Sequence, residues 1–153
     1  MKKMTIEATL EQIKPVTDFI NAQLKELGCS RRIRIQVDVA VDEIFGNIAR
    51  YAYNPATGPA TVCVDTEENP LSVIISFIDH GVPYDPLSAK FVDTTHLSAK
   101  ERPIGGLGLF LVKNTMDDIS YRYQDGQNIL TIRKKNISKT YDWEENSHVI
   151  NNL

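Results

Sequence analysis

The spacing of apolar residues changes several times along the chain, and each change marks a boundary between predicted elements. Residues 3–9 alternate between polar and apolar side chains, which predicts a short strand at a sheet edge or at a pairing surface between two copies. From Leu10 to Leu27 the apolar positions follow helical spacing, and Thr9 is suited to cap the predicted helix. Gly28 is expected to end that helix.

Residues 30–53 fit two periods, and the choice between them decides where the chemistry lies. Between Ile33 and Val41 every second residue is apolar, as in a half-buried strand. That alternation fails after Val41, whereas apolar residues at helical spacing continue for about five turns, and strands of roughly 20 residues are rare. We therefore predict a helix with Ser30 as its N-cap, held by burial because β-branched residues are weak helix formers.

The second half of the chain predicts strands in pairs. Residues 60–66 and 71–79 form two strands joined by a polar turn, and the second is nearly all apolar, as in the centre of a sheet. Residues 80–104 show no period, and a loop of that length usually acts as a lid or a binding loop. The remaining elements are a short helix and the two strands of a hairpin, at residues 107–116, 119–123 and 129–133.

The resulting order, β-α-α-β-β-loop-α-β-β, predicts an α+β fold. Its helices should lie on one face of a mixed, mostly antiparallel sheet, which makes a two-layer α/β sandwich. We expect one domain over residues 1–135, followed by a polar tail over residues 136–153 that carries Trp143.

Composition and charge exclude several classes of function. The net charge is −3 and there is no basic run, so a nucleic-acid surface is not expected. No apolar run approaches the roughly 18 residues of a membrane helix, and the first residues do not resemble a signal peptide, so we expect a cytoplasmic protein. Cys29 and Cys63 do not have the spacing of metal ligands. We expect both thiols to be reduced, and a disulfide between them is the alternative that the sequence leaves open.

Glu43 and Asn47 are the first candidate site residues. They lie four positions apart in the predicted helix, so their side chains project from one face. Taken alone, such a pair most often belongs to an exposed polar face, but here its neighbours are apolar, and Gly46 costs about 1 kcal/mol in a helix interior. If a ligand approaches there, Glu43 can act as a general base and Asn47 can give an oxygen ligand to Mg²⁺.

Asp79 and Gly81 directly follow the predicted central strand. They are consistent with an ordinary turn, since aspartate and glycine are common turn residues. They are equally consistent with a carboxylate that accepts a hydrogen bond from an exocyclic amine, with Gly81 leaving room for a flat ring.

A third group of candidates consists of glycines that lead into the last predicted helix. Their backbone N–H groups at a helix N-terminus would form an anion site. The run lacks the features of the Rossmann and Walker A motifs, and alone it is weak evidence. The glycines are Gly105, Gly106 and Gly108.

Taken together and in this order, the three motifs resemble the N, G1 and G2 boxes of the GHKL ATPase superfamily, whose members share the Bergerat ATP-binding fold. Within it, the chain is most similar to the stand-alone anti-sigma-factor serine kinases of bacteria. Their Asp-x-Gly-x-x-aromatic-Asp-Pro pattern matches residues 79–86, and their Gly-Gly-x-Gly-Leu-x-Leu-Val matches residues 105–112. Their closing Gly-x-Asn-x-Leu-Thr matches residues 126–131, and the likeness covers about residues 5–135 by order of elements.

This resemblance implies a protein serine kinase that uses ATP and Mg²⁺. By position, Glu43 corresponds to the catalytic base, Asn47 to the Mg²⁺ ligand and Asp79 to the acceptor from the adenine amino group, with Gly81 beside the base. The other correspondences are a phosphate loop at the end of the lid and a threonine that supports adenine binding through a water: Gly105, Gly106, Gly108 and Thr131.

The resemblance also implies partners. The substrate would be a serine of an anti-anti-sigma (STAS) protein, the sequestered partner a sigma factor or a similar protein, and the kinase itself a homodimer. The chain departs from the family at Tyr51, where a histidine is usual, and at Gly46. The alternative is a nucleotide-dependent partner-binding switch without catalysis, against which the retained Glu43 argues.

Overall fold

The computed structural model describes residues 1–88 and 106–138, and its elements follow the predicted order. The α+β prediction is confirmed. Most of the predicted lid, residues 89–104, lies outside the described residues, and so does the predicted tail from residue 139 onward. The elements are β1 (Lys2–Glu7), a 3₁₀ turn (Leu10–Gln12), α1 (Ile13–Glu26), α2 (Arg31–Asn47), a π-helical turn (Ile48–Ala52), β2 (Pro59–Glu67), β3 (Ser72–Asp79), α3 (Gly106–Thr115), β4 (Asp118–Gln124) and β5 (Gln127–Lys134).

The strands lie in the order β1-β2-β3-β5-β4, so the apolar strand β3 is central, as its composition predicted. Each neighbouring pair among the described strands is antiparallel. The expectation of a mixed sheet is therefore wrong in that detail. Both hairpins pair sequential strands directly, and the crossover from β3 through α3 enters β4, which pairs with β5 at the far edge.

The helices cover one face of this sheet, and α2 shows why its sequence fitted two periods. Ile35 and Val39, which fit only the strand alternation, are 48% and 41% exposed. The residues that follow the helical period are buried against the sheet, because a helix places positions three and four apart on one face. These are Val37, Val41, Ile44 and Phe45.

Local features at the two ends of α2 set its position. The Ser30 hydroxyl oxygen accepts a hydrogen bond from the Ile33 N–H at 3.3 Å, which confirms the predicted N-cap. At the other end the α-helix passes into one π-helical turn over Ile48–Ala52, and widened turns of this kind are often found at functional sites.

Two further expectations concern the whole chain. Cys29 and Cys63 are both buried and form no disulfide, in agreement with the reduced state expected from the sequence. None of the helices in the described part of the chain is long and apolar enough to cross a membrane.

Candidate functional site

A cavity of about 310 Å³ opens where the end of α2 and its π-helical turn face the sheet. Its walls are mostly apolar, and besides three tyrosines they include three amide or carboxylate side chains from different elements. A concave apolar pocket with a few convergent polar groups is the usual form of a small-molecule site. The three groups are Asn47 of α2, Asp79 at the end of β3 and Asn128 near the start of β5.

Glu43 and Asn47 are side by side, as their spacing predicted. The Asn47 amide Nδ2 donates to Glu43 Oε1 at 3.3 Å. Burial raises the pKa of the Glu43 carboxyl above its ordinary value, while the hydrogen bond from Asn47 and the charge of Arg50 oppose that rise. A carboxylate with a raised pKa beside a cavity is suited to take a proton from a hydroxyl group.

The environment of the Asn47 amide oxygen, Oδ1, supports the prediction that this residue binds a cation. Its Oδ1 is buried and accepts no hydrogen bond from any residue that the structure describes. A buried acceptor without a partner is costly, so such an atom is commonly satisfied by an ion or an ordered water. A neutral carboxamide oxygen is a ligand type that Mg²⁺ accepts, so the residues present fit this ion.

Asp79 and Gly81 form a tight turn after β3. The Gly81 N–H donates to Asp79 Oδ1 at 2.9 Å, and the Val82 N–H donates to the Ala52 carbonyl at 3.0 Å. A Cβ added at Gly81 would lie 2.2 Å from that carbonyl oxygen. Glycine is therefore required here so that the turn can pack on the π-helical turn, and the space expected to admit a flat ring holds the Ala52 backbone.

Asn128 is a site residue that the sequence did not predict. Its buried carboxamide bonds to Asp79 Oδ1 at 2.9 Å and to the Tyr121 hydroxyl at 2.5 Å, and it also contacts the loop after β3. Asn128 stands in the closing motif that carried the family resemblance, so a signal was present. Its role depends on strand register, because β5 places Asn128 directly opposite Asp79.

Thr131 is a predicted site residue that does not line the cavity. In register it faces Ser76 of β3, and the two hydroxyls are 3.0 Å apart. Successive side chains of a strand point to opposite faces. Since Asn128 and Leu130 line the cavity, Thr131 lies on the face of the sheet away from the helices.

The glycines before and within α3 were predicted to form a phosphate loop. Gly105 lies outside the described residues, and Gly106 is the first residue of α3. Gly108 packs against Glu43: an added Cβ would lie 2.0 Å from Glu43 Oε2 and 2.4 Å from its Cδ. The N-terminus of α3 therefore meets the candidate base directly, which places a positive helix end beside the Glu43 and Asn47 pair.

We expect Gly108→Ala to displace the Glu43 carboxylate while the fold is retained. The nearest atoms belong to the tip of a side chain, which can rotate away at little cost. The methyl group should therefore lower any activity that needs Glu43 by about tenfold or more, since small misplacements of catalytic groups are costly. Activity and thermal unfolding of the variant measure the two effects; unchanged activity would show that the contact is not functional.

Gly46 and Arg50 explain one departure from the family pattern. A Cβ at Gly46 would lie 3.0 Å from Arg50 Nη1, so the missing side chain makes room for the guanidinium folded back along α2. There its charge lowers the pKa of Glu43, in opposition to burial. Tyr51 lines the cavity and is 49% exposed, so the residue in place of the family histidine is at the site.

Comparison with known proteins identifies the class that this fold and site define. The histidine kinase-like ATPase domain family matches residues 6–134, and the chain belongs to that family. The described elements of that range form the sheet, the helices and the cavity.

Curated relatives are protein kinases. The chain is 31% identical over 103 residues to the serine/threonine-protein kinase BtrW of Bordetella bronchiseptica, over 67% of this chain and 71% of the relative. It is 30% identical over 131 residues to the serine-protein kinase RsbW of Bacillus thuringiensis, over 84% and 81%. The Acinetobacter baumannii histidine kinase AdeS aligns over 92% of this chain and 70% of its own at 15% identity, with a TM-score of 0.44.

Proposed function

We propose that the protein is an ATP- and Mg²⁺-dependent protein serine kinase of the anti-sigma-factor type. The observation that carries the proposal is the meeting of Glu43, Asn47 and the N-terminus of α3 beside an apolar cavity that ends at Asp79. The names of the curated relatives support serine kinase activity over other ATPase functions.

Asp79, Asn47, the N-terminus of α3 and Glu43 each have a part in this reaction. Asp79 accepts a hydrogen bond from the adenine amine in the cavity, and Asn47 contributes its unpartnered oxygen to Mg²⁺. The positive end of α3, beginning at Gly106, faces the phosphates. Bound Mg²⁺ supplies neutralisation of phosphate charge. Glu43 orients the substrate serine and receives its proton.

The transfer balances without further reactants. The serine oxygen forms a bond to the γ-phosphorus, the bond between that phosphorus and the bridging oxygen breaks, and ADP leaves with the electron pair. The hydroxyl proton passes to Glu43, whose raised pKa makes it a stronger base than an ordinary carboxylate.

The substrate that we propose is a serine of an anti-anti-sigma (STAS) protein. In the same proposal the kinase sequesters a sigma factor or a similar partner and acts as a cytoplasmic homodimer. The strand β1 has six residues and pairs only with β2 among the described strands, so this edge is one candidate surface for dimerisation.

The test uses labelled ATP, Mg²⁺ and purified STAS proteins encoded near this gene. Label on a serine of one of them, dependent on Mg²⁺, supports the kinase. ATP binding without transfer to any of them would favour the second candidate, a nucleotide-dependent switch that binds its partner without catalysis. The absence of measurable ATP affinity in calorimetry would contradict both candidates.

A further inference from the structure

The carboxamide of Asn128 is saturated with hydrogen bonds to groups whose roles are fixed. The Gly81 and Val82 carbonyls, 3.3 and 3.1 Å away, can only accept, so the atom facing them is Nδ2. The Tyr84 N–H, 3.2 Å away, can only donate, so the atom facing it is Oδ1. The network itself therefore defines the orientation of this amide, and Asn128 keeps no group for a ligand.

The saturated amide constrains Asp79 in turn. Asp79 Oδ1 accepts from Asn128 Nδ2 at 2.9 Å and from the Gly81 N–H at 2.9 Å. Both bonds end on the same oxygen of a carboxylate that is 5% exposed and lines the cavity. The second oxygen, Oδ2, is thus the atom that remains for a ligand.

The hydroxyl of Tyr121 holds this arrangement from the edge of the sheet. It donates to Asn128 Oδ1 at 2.5 Å, so strands β3, β4 and β5 and the loop after β3 are joined through one amide. A buried polar network that is fully satisfied is rigid, because leaving any of its members unpaired is costly.

We propose that Asn128 is a specificity-determining positioning residue, which holds Asp79 so that a hydrogen-bond acceptor faces the cavity. The site then selects a purine with an exocyclic amine over one with a carbonyl at that position. This inference rests on the proposed function, in which the cavity binds the base of a nucleotide.

The sharpest test is Asp79→Asn, which replaces one oxygen of the side chain by an NH₂ group. The donors on Gly81 and Asn128 both require an oxygen, so the NH₂ group must face the cavity. Wild type is expected to bind ATP more tightly than inosine triphosphate, which carries a carbonyl in place of the amine, by about 10- to 100-fold. Asp79→Asn is expected to reverse that preference, as measured by calorimetry on the full chain.

The contribution of Asn128 is isolated in the double variant Asp79→Asn with Asn128→Ala. Without the second donor only the Gly81 N–H still favours an oxygen on that side of residue 79, so the reversed preference should shrink towards equal affinity for the two nucleotides. If this variant does not fold, Tyr121→Phe in the Asp79→Asn background should weaken the reversal. Ser76→Ala, on β3 but bonded on the opposite face, is the control that keeps the wild-type ratio.

The ratio of two affinities within one variant separates positioning from general destabilisation, which lowers both affinities together. A wild type that binds neither nucleotide would contradict the proposed function, and this inference with it. A wild type that selects ATP, together with an Asp79→Asn variant that still prefers ATP, would overturn this inference alone. An unchanged reversal after removal of Asn128 would also overturn it.

Discussion

Glu43→Gln is expected to lower the rate of phosphoryl transfer by about 100-fold or more, since general-base catalysis typically contributes that much. The substitution keeps the size of the side chain and the oxygen that accepts from Asn47 at 3.3 Å, but removes its ability to take a proton. ATP affinity should stay close to that of wild type, because Glu43 is assigned no contact with the adenine ring. Initial rates with the protein substrate and calorimetry with ATP measure the two quantities.

Asp42→Asn is the matched control for this variant. Asp42 is the neighbouring carboxylate on α2, is exposed, and does not line the cavity. Its substitution removes the same formal charge one position away and should leave the rate unchanged. Transfer at the wild-type rate in Glu43→Gln would contradict the assignment of the base, and an equal loss in both variants would point to charge alone.

Glu43→Gln is also expected to change the stability of the fold, by an amount that depends on pH. Burial raises the pKa of Glu43 above 4.5, so the folded state favours its protonated form. Protonated Glu43 therefore stabilises the folded state to its full extent below about pH 4.5. This stabilisation is lost as the pH rises through the pKa of Glu43 in the folded state. Without metal or nucleotide, Glu43→Gln should match wild type in acid and unfold at a higher temperature near neutral pH; a lower temperature there would contradict the direction.

Gly81→Ala is expected to reduce the free energy of unfolding by about 1–3 kcal/mol, the usual cost of overpacking a filled site. The added Cβ would lie 2.2 Å from the Ala52 carbonyl oxygen and 2.6 Å from its carbon. These are backbone atoms of the π-helical turn, so the clash can be relieved only by moving the loop after β3 or the end of α2. Either movement disturbs the hydrogen bonds that hold Asp79, and ATP affinity should fall as well.

Urea unfolding measures this loss as a lower midpoint with an unchanged slope. Gly108→Ala is the informative comparison, because its Cβ would meet the tip of Glu43 rather than the backbone, and its stability should stay near that of wild type. Equal stability of Gly81→Ala and wild type would show that the contact with Ala52 is not needed for the fold.

The order of elements was predictable because it depends on local periodicity. Residues 30–53 were the hard case, and the helix was predicted because its spacing outlasted the alternation. The helical period placed Ile35 and Val39 off the apolar face of α2, and both are exposed in the structure. The sequence predicted a mostly antiparallel sheet, whereas every pair of described neighbouring strands is antiparallel. The difference arises because long-range contacts decide which strands become neighbours.

The candidate site divides in the same way. Glu43 and Asn47 meet because they are one helical turn apart, and sequence spacing is sufficient to place them together. Asn128 and Thr131 lie three positions apart on one strand and point to opposite faces, so the register of β5 on β3 decides which of them reaches the cavity. The correspondence of residue types with the family motif selected Thr131, whereas the pairing of β5 with β3 brings Asn128 to Asp79.

The sequence by itself determined the helix that carries Glu43 and Asn47, the strand that ends at Asp79, and the family to which the motifs belong. These depend on residues close together in the chain, where spacing and residue type act directly. Only the tertiary structure decided that Gly81 serves the contact with Ala52, that Gly108 meets Glu43, and that Asn128 orients Asp79. Each of these contacts joins segments far apart in sequence, and their distances depend on how the helices and the sheet pack together.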